Sequence, residues 1–121
     1  MADISINKLR ELDEQYEADL KHIRSKRDDL EDDYHRFMQA TDDLKEQVYQ
    51  ATLGRGLELS SEAQGHLYQM DINTDDFLSE FHQEMVKLDD EQSQLKRDYD
   101  KQVDKLYEEA RRDKGDGDTD S

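Results

Sequence analysis

The chain has 121 residues, 33 of them acidic and 17 basic, for a formal charge of -16. That length suits one domain or one long supersecondary unit and is short for a multidomain enzyme, while the charge opposes nonspecific attraction to nucleic acid or to an anionic membrane surface. Leu, Ile, Val and Phe supply only 23 residues, and Pro and Cys are both absent, so order depends on strict patterning along unbroken helices, and disulfides and thiolate metal sites are excluded.

The first residues contain no basic segment followed by an apolar run, and no stretch approaches 18 consecutive apolar residues. Neither a cleavable signal peptide nor a membrane span is expected. From Leu9, steps of seven reach Tyr16, Ile23, Leu30, Phe37, Leu44 and Ala51, with Leu12, Leu20, Tyr34, Ala40 and Val48 beside the line. Such a stripe between charged neighbours predicts a helix over about 4–52 that packs against other helices. Leu53-Gly54-Arg55-Gly56 then supplies two glycines able to take positive φ, which marks a helix end and a turn at Gly54 and Gly56.

The connection, about 53–73, is denser in apolar residues. Leu57, Leu59, Leu67, Tyr68, Met70 and Ile72 are too many for two helix ends to cover, so for this set partner contact stands level with core packing. Ser61 with Gln64 has capping-box spacing, which predicts a short helix over about 61–70 and then a bend. A second start signal follows at Asn73 or Thr74 ahead of Asp75 and Asp76, although 61–70 can equally run on into the next helix. The second long helix, about 74–113, carries Phe81, Leu88 and Leu95, and beside them Leu78, Met85, Gln92, Tyr99 and Leu106. Phe77, Val86, Val103, Tyr107 and Ala110 widen the stripe, and Gln92 and Gln102 interrupt it. Residues 114–121 have no apolar content and are expected to form a disordered acidic tail.

The fold expected is all-α: residues 1–113 form a single elongated, coiled-coil-like antiparallel two-helix hairpin, with a short helix or bend in the connection. A two-helix hairpin shields one stripe of each helix, so burial falls short of the entropy of ordering the chain, and a further helical surface is expected. The candidate partner interface is Leu9, Leu12, Tyr16, Ile23, Leu30, Phe37 and Leu44 on the first helix and Phe77, Phe81, Leu88, Leu95 and Leu106 on the second.

Metal and catalytic chemistry find little support. Asp19 with His22 and Asp32 with His35 have a spacing that shares a helical face, but His22, Asp32 and His35 fall away from the seam. Asp116, Asp118 and Asp120 echo a calcium loop that ends before its bidentate Glu. No nucleophile elbow or phosphate-cradling loop is present. The expectation is no enzyme activity, no cofactor and no metal.

One long helix, the turn Leu53-Gly54-Arg55-Gly56 near mid-chain and a second long acidic helix resemble the Trp-x-Gly superfamily of helical hairpins, which serves type VII secretion in Gram-positive bacteria. The run Phe77-Leu78-Ser79-Glu80-Phe81-His82-Gln83-Glu84, followed by Leu88, Leu95 and Tyr99, is similar to small helical proteins associated with LXG toxins. Leu53 stands where the superfamily places its tryptophan. The export signal, an aromatic followed four residues later by an acid, is missing: Tyr99 is followed by Val103 and Tyr107 by Arg111. The resemblance implies a targeting chaperone that binds the helical N-terminal domain of an LXG toxin, with a second small helical hairpin as a further possible partner. It would act in the cytoplasm or be exported with its cargo. The alternative is a self-associating coiled-coil scaffold or a prefoldin-like holdase.

Overall fold

A computed structural model describes the backbone of residues 2–119 and the side chains of 6–112. Helix α1 spans Ala2–Ala51 and α2 spans Ser61–Thr119, with a short 3-10 turn at Leu53–Arg55 between them and no strand among the described residues. The all-α helical hairpin is therefore the fold. The disordered tail expected over 114–121 differs from the backbone, which continues α2 through Thr119, and 120–121 lie outside the described residues.

The chain divides into two compact units. One pairs residues 1–26 with 88–121, and the other is the continuous segment 27–87, which contains the turn. In the first, Ile23 and Leu88 are the hydrophobic side chains that become buried, at 6% and 5% exposure. Tyr16 stacks on Tyr99 with centroids 4.4 Å apart, the Tyr99 hydroxyl donates to Asp13, and Lys26 lies 3.9 Å from Glu91. In the second, Phe37 stacks on Phe77 at 4.2 Å and Tyr34 on Phe81 at 5.0 Å. Thr41 is buried at 8%, and Lys45 donates to Asp71 at 3.0 Å.

The turn closes with paired backbone bonds. Gly56 N–H donates to Leu53 C=O at 3.0 Å and Leu57 N–H to Thr52 C=O at 3.0 Å, the two bonds of a Schellman motif. The residue between them must be left-handed, and Gly56 is, with φ 75. Gly54 is not: Gly56 is the one described residue with positive φ, so a single glycine turns the chain. The cap of α2 also sits one residue earlier than its spacing suggests. Ser60 Oγ accepts from Ala63 N–H at 3.1 Å, and Gln64 reaches back to donate to Leu59 C=O at 3.2 Å, so Ser60 is the N-cap and Ser61 already lies in the helix.

Residues 61–70 are not a separate helix, and no bend occurs at Asn73. Thr74 donates its hydroxyl to Met70 C=O at 2.9 Å, and Gln69 donates to Asn73 Oδ1 at 3.1 Å. The side chains read as start signals are thus occupied within the helix, and no Pro enforces a break.

The heptad line also fails at its end, for a geometric reason. Seven residues of a 3.6-residue helix fall about 20° short of two turns, so five steps from Leu9 to Leu44 accumulate about 100°, the rotation of one residue. Leu44 is 49% exposed and Ala51 and Ala40 are exposed, while Thr41, Lys45, Val48 and Thr52 take the inner positions. Inner residues recur at eleven, as in Ile23, Tyr34 and Lys45 or Leu30, Thr41 and Thr52, a spacing close to the natural helical period.

Candidate protein-interaction surface

Eleven of the twelve expected interface residues lie on faces where the two helices meet within their own unit. In the unit of 1–26 and 88–121, Ile23 and Leu88 are buried and Leu9, Leu12, Tyr16, Leu95 and Leu106 are half-buried. In the unit of 27–87, Leu30, Phe37, Phe77 and Phe81 are half-buried. Leu44 alone is exposed. Phe37, Phe77 and Phe81 spend one ring face on an intramolecular stack, and Ile23 and Leu88 have almost no surface to offer. A substitution at Leu88 consequently probes folding first.

The exposed large hydrophobics are Ile6, Leu44, Tyr49, Leu53, Leu57, Tyr68, Ile72, Val86 and Tyr107 among the described residues. Seven of these nine belong to the unit of 27–87. Leu57, Tyr68 and Ile72 come from the connection whose apolar excess was visible in the sequence, whereas their neighbours Leu59, Leu67 and Met70 are half-buried. Ile6, Tyr49, Leu53, Val86 and Tyr107 are exposed residues that the sequence pattern does not mark as surface. Val86 and Tyr107 had been placed on the inner stripe, where they would require a wider seam than two helices form; each instead sits 57% and 54% exposed, one residue's rotation beyond Met85 and Leu106. Gln92 and Gln102, expected to interrupt the seam, lie exposed beside it.

Two small concavities occur in the unit of 1–26 and 88–121. One, of about 160 Å³, is walled by Ile6, Leu9, Leu106, Tyr107 and Ala110. The other, about 90 Å³, lies among Leu12, Tyr16, Leu95 and Tyr99. Both are smaller than the ~300 Å³ or more that small-molecule pockets usually provide. His22 and His35 are exposed, and no group of three or more His, Asp or Glu is arranged to hold a metal ion among the described residues. No described helix is long and apolar enough to cross a membrane.

Two titrations carry the marks of local geometry. Tyr99 is pushed up to about 12, chiefly because its hydroxyl donates to the Asp13 carboxylate, which would repel a phenolate. Lys45 is raised above its ordinary value by its hydrogen bond and charge pairing with Asp71. Both are screened by solvent and orient side chains more than they stabilise the fold.

Compared with protein-family models, curated proteins and solved structures, the chain matches none of them.

Proposed function

We propose that this protein is a nonenzymatic helical adaptor, a targeting chaperone that binds the helical N-terminal domain of a type VII-secreted LXG toxin and promotes its export. The observation that carries the adaptor reading is an imbalance of burial. Ile23 and Leu88 are the hydrophobic side chains buried among the described residues, while nine large hydrophobics remain exposed. Apolar surface left in water by a hairpin is the driving force for adding another helical surface. The toxin-targeting part rests on the resemblance of the Leu53–Gly56 turn and the Phe77–Glu84 run to the type VII-associated hairpins. The reading places the protein in the cytoplasm with its cargo, or outside with it after export.

The test is nondenaturing purification of the tagged full chain from its own host, with stoichiometric co-purifying chains identified by mass spectrometry. A larger protein with a helical N-terminal domain is expected at fixed stoichiometry. Recovery of the chain alone, as an oligomer whose melting temperature rises with concentration, would replace the adaptor reading with a self-associating scaffold.

A further inference from the structure

We infer that α2 carries a second helix-packing face, on the side opposite α1, which receives an amphipathic helix of a different protein whose apolar stripe is flanked by Lys or Arg. This rests on the adaptor reading and specifies the surface and the charge of the partner. Phe77 and Phe81 define the inner side of α2 because they stack on Phe37 and Tyr34 of α1. Tyr68 and Val86 each lie nine residues from Phe77, and Ile72 lies nine residues from Phe81. Nine residues are about two and a half helical turns, so all three point to the opposite side. Their exposures, 69% for Tyr68, 57% for Val86 and 36% for Ile72, agree with that placement.

The face is patterned as well as exposed. Gly65, Tyr68, Ile72, Asp75, Ser79, His82 and Val86 follow the alternating three- and four-residue spacing of a coiled-coil seam, and Asp75 is the one acid among the seven in a chain that is 41% charged. A Cβ added at Gly65 would meet nothing within 4 Å, so a neighbouring helix has room to approach there. Tyr68, Ile72 and Val86 leave apolar surface in water on this side of α2 that α1 does not cover.

Charge selects the occupant. Asp75 lies within the stripe and Asp76 and Glu80 border it, and none of the three has an ion pair among the described residues, while the flanking Lys87 is paired with Glu84 at 3.1 Å. A second copy would set the same acidic borders against these, within a pair of chains each at -16. A basic-flanked helix instead pairs with them, as coiled-coil flanking positions do when they choose partners.

The test uses the full chain and an amphipathic peptide of about 20 residues, with leucine at the inner heptad positions and lysine elsewhere, titrated by fluorescence anisotropy at physiological salt. The triple variant Tyr68→Ser, Ile72→Ser and Val86→Ser leaves charge unchanged and alters only exposed side chains, so its helicity should match the parent. We expect it to bind the peptide about tenfold more weakly or worse, because exposed aromatic anchors dominate such contacts. Asp75→Asn with Asp76→Asn and Glu80→Gln should weaken binding several-fold and flatten its salt dependence. Equal binding by the triple variant would overturn the inference, because attraction would then be diffuse charge. So would equal binding of a leucine–glutamate peptide, or a parent dimer that the triple variant abolishes. If a partner co-purifies in the host and the triple variant recovers it undiminished, this face is wrong and the adaptor reading stands; if no partner is recovered from the parent, the adaptor reading itself fails.

Discussion

The two units close the same kind of two-helix seam by different means. Where 1–26 meets 88–112, aliphatic side chains are driven to near-complete burial, with Ile23 and Leu88 at 6% and 5% exposure and an aromatic pair, Tyr16 and Tyr99, beside them. In 27–87 the inner positions hold stacked aromatics, a buried Thr41 and the Lys45–Asp71 pair, and no hydrophobic side chain there is buried. That same unit holds seven of the nine exposed large hydrophobics. Seam burial and exposed apolar surface are thus weighted to different units: among the described residues, the unit with the better-buried seam has the plainer exterior.

The sharpest way to break this comparison is truncation of the seams. Leu88→Ala and Ile23→Ala should each lower unfolding free energy by about 2–4 kcal/mol, since both empty well-covered sites. Phe37→Ala and Phe77→Ala act on half-buried rings and should lie nearer ~2 kcal/mol, with a coupling of about 0.5–1.5 kcal/mol between them in a double-mutant cycle. Urea titrations followed by circular dichroism measure all four. An equal loss at Phe77 and Leu88 would erase the distinction between the units.

Hydrogen exchange sharpens the same point without mutation. Amides of 27–51 and 61–87 should exchange faster than those around Ile23 and Leu88, because opening there exposes less apolar surface. Smaller and of opposite sign are two glycine substitutions within 27–87. Gly56→Ala places a side chain at φ 75 and should cost about 1–2 kcal/mol, whereas Gly65→Ala removes a glycine from an exposed helix interior and should gain about 0.5–1 kcal/mol.

The smallest effect is a titration in the other unit. Tyr99 lies about 12 against an ordinary 10.0, so its contribution is fully present below pH 10 and is lost as pH rises through its folded-state value. Tyrosinate absorbance should show a late-titrating phenol that is absent in Tyr99→Phe. A late phase that persists in Tyr99→Phe, or a parent that lacks one, would mean that the Asp13 bond does not hold in solution.

Helix content, the mid-chain turn and most of the apolar stripe were legible in the sequence, because they depend on local period and on punctuation by Gly. Register was legible only over short range. The seven-residue line through Leu9 and Phe37 is correct where it starts and wrong by one residue at Leu44, since a small angular error per step accumulates along 50 helical residues. The break expected at Asn73 had real signals behind it, but polar side chains that cap a helix can also bond within one, as Thr74 does to Met70. The outward face through Tyr68, Ile72 and Val86 was half visible, as an apolar excess in the connection. Its separation from Leu67 and Met70 was not, because amino-acid type does not say which side of a continuous helix faces the neighbour.

By itself, the sequence determined that this chain would be helical, turn once near its middle at glycine and keep an apolar stripe along each helix, because Pro-free, highly charged segments with a helical apolar period have no other stable arrangement. Which stripe residues become buried, where the cap and the left-handed residue sit and which hydrophobics are left outside were decided by tertiary structure. Pairing two helices selects one face of each, and every other face, whatever its composition, is left to water or to a partner.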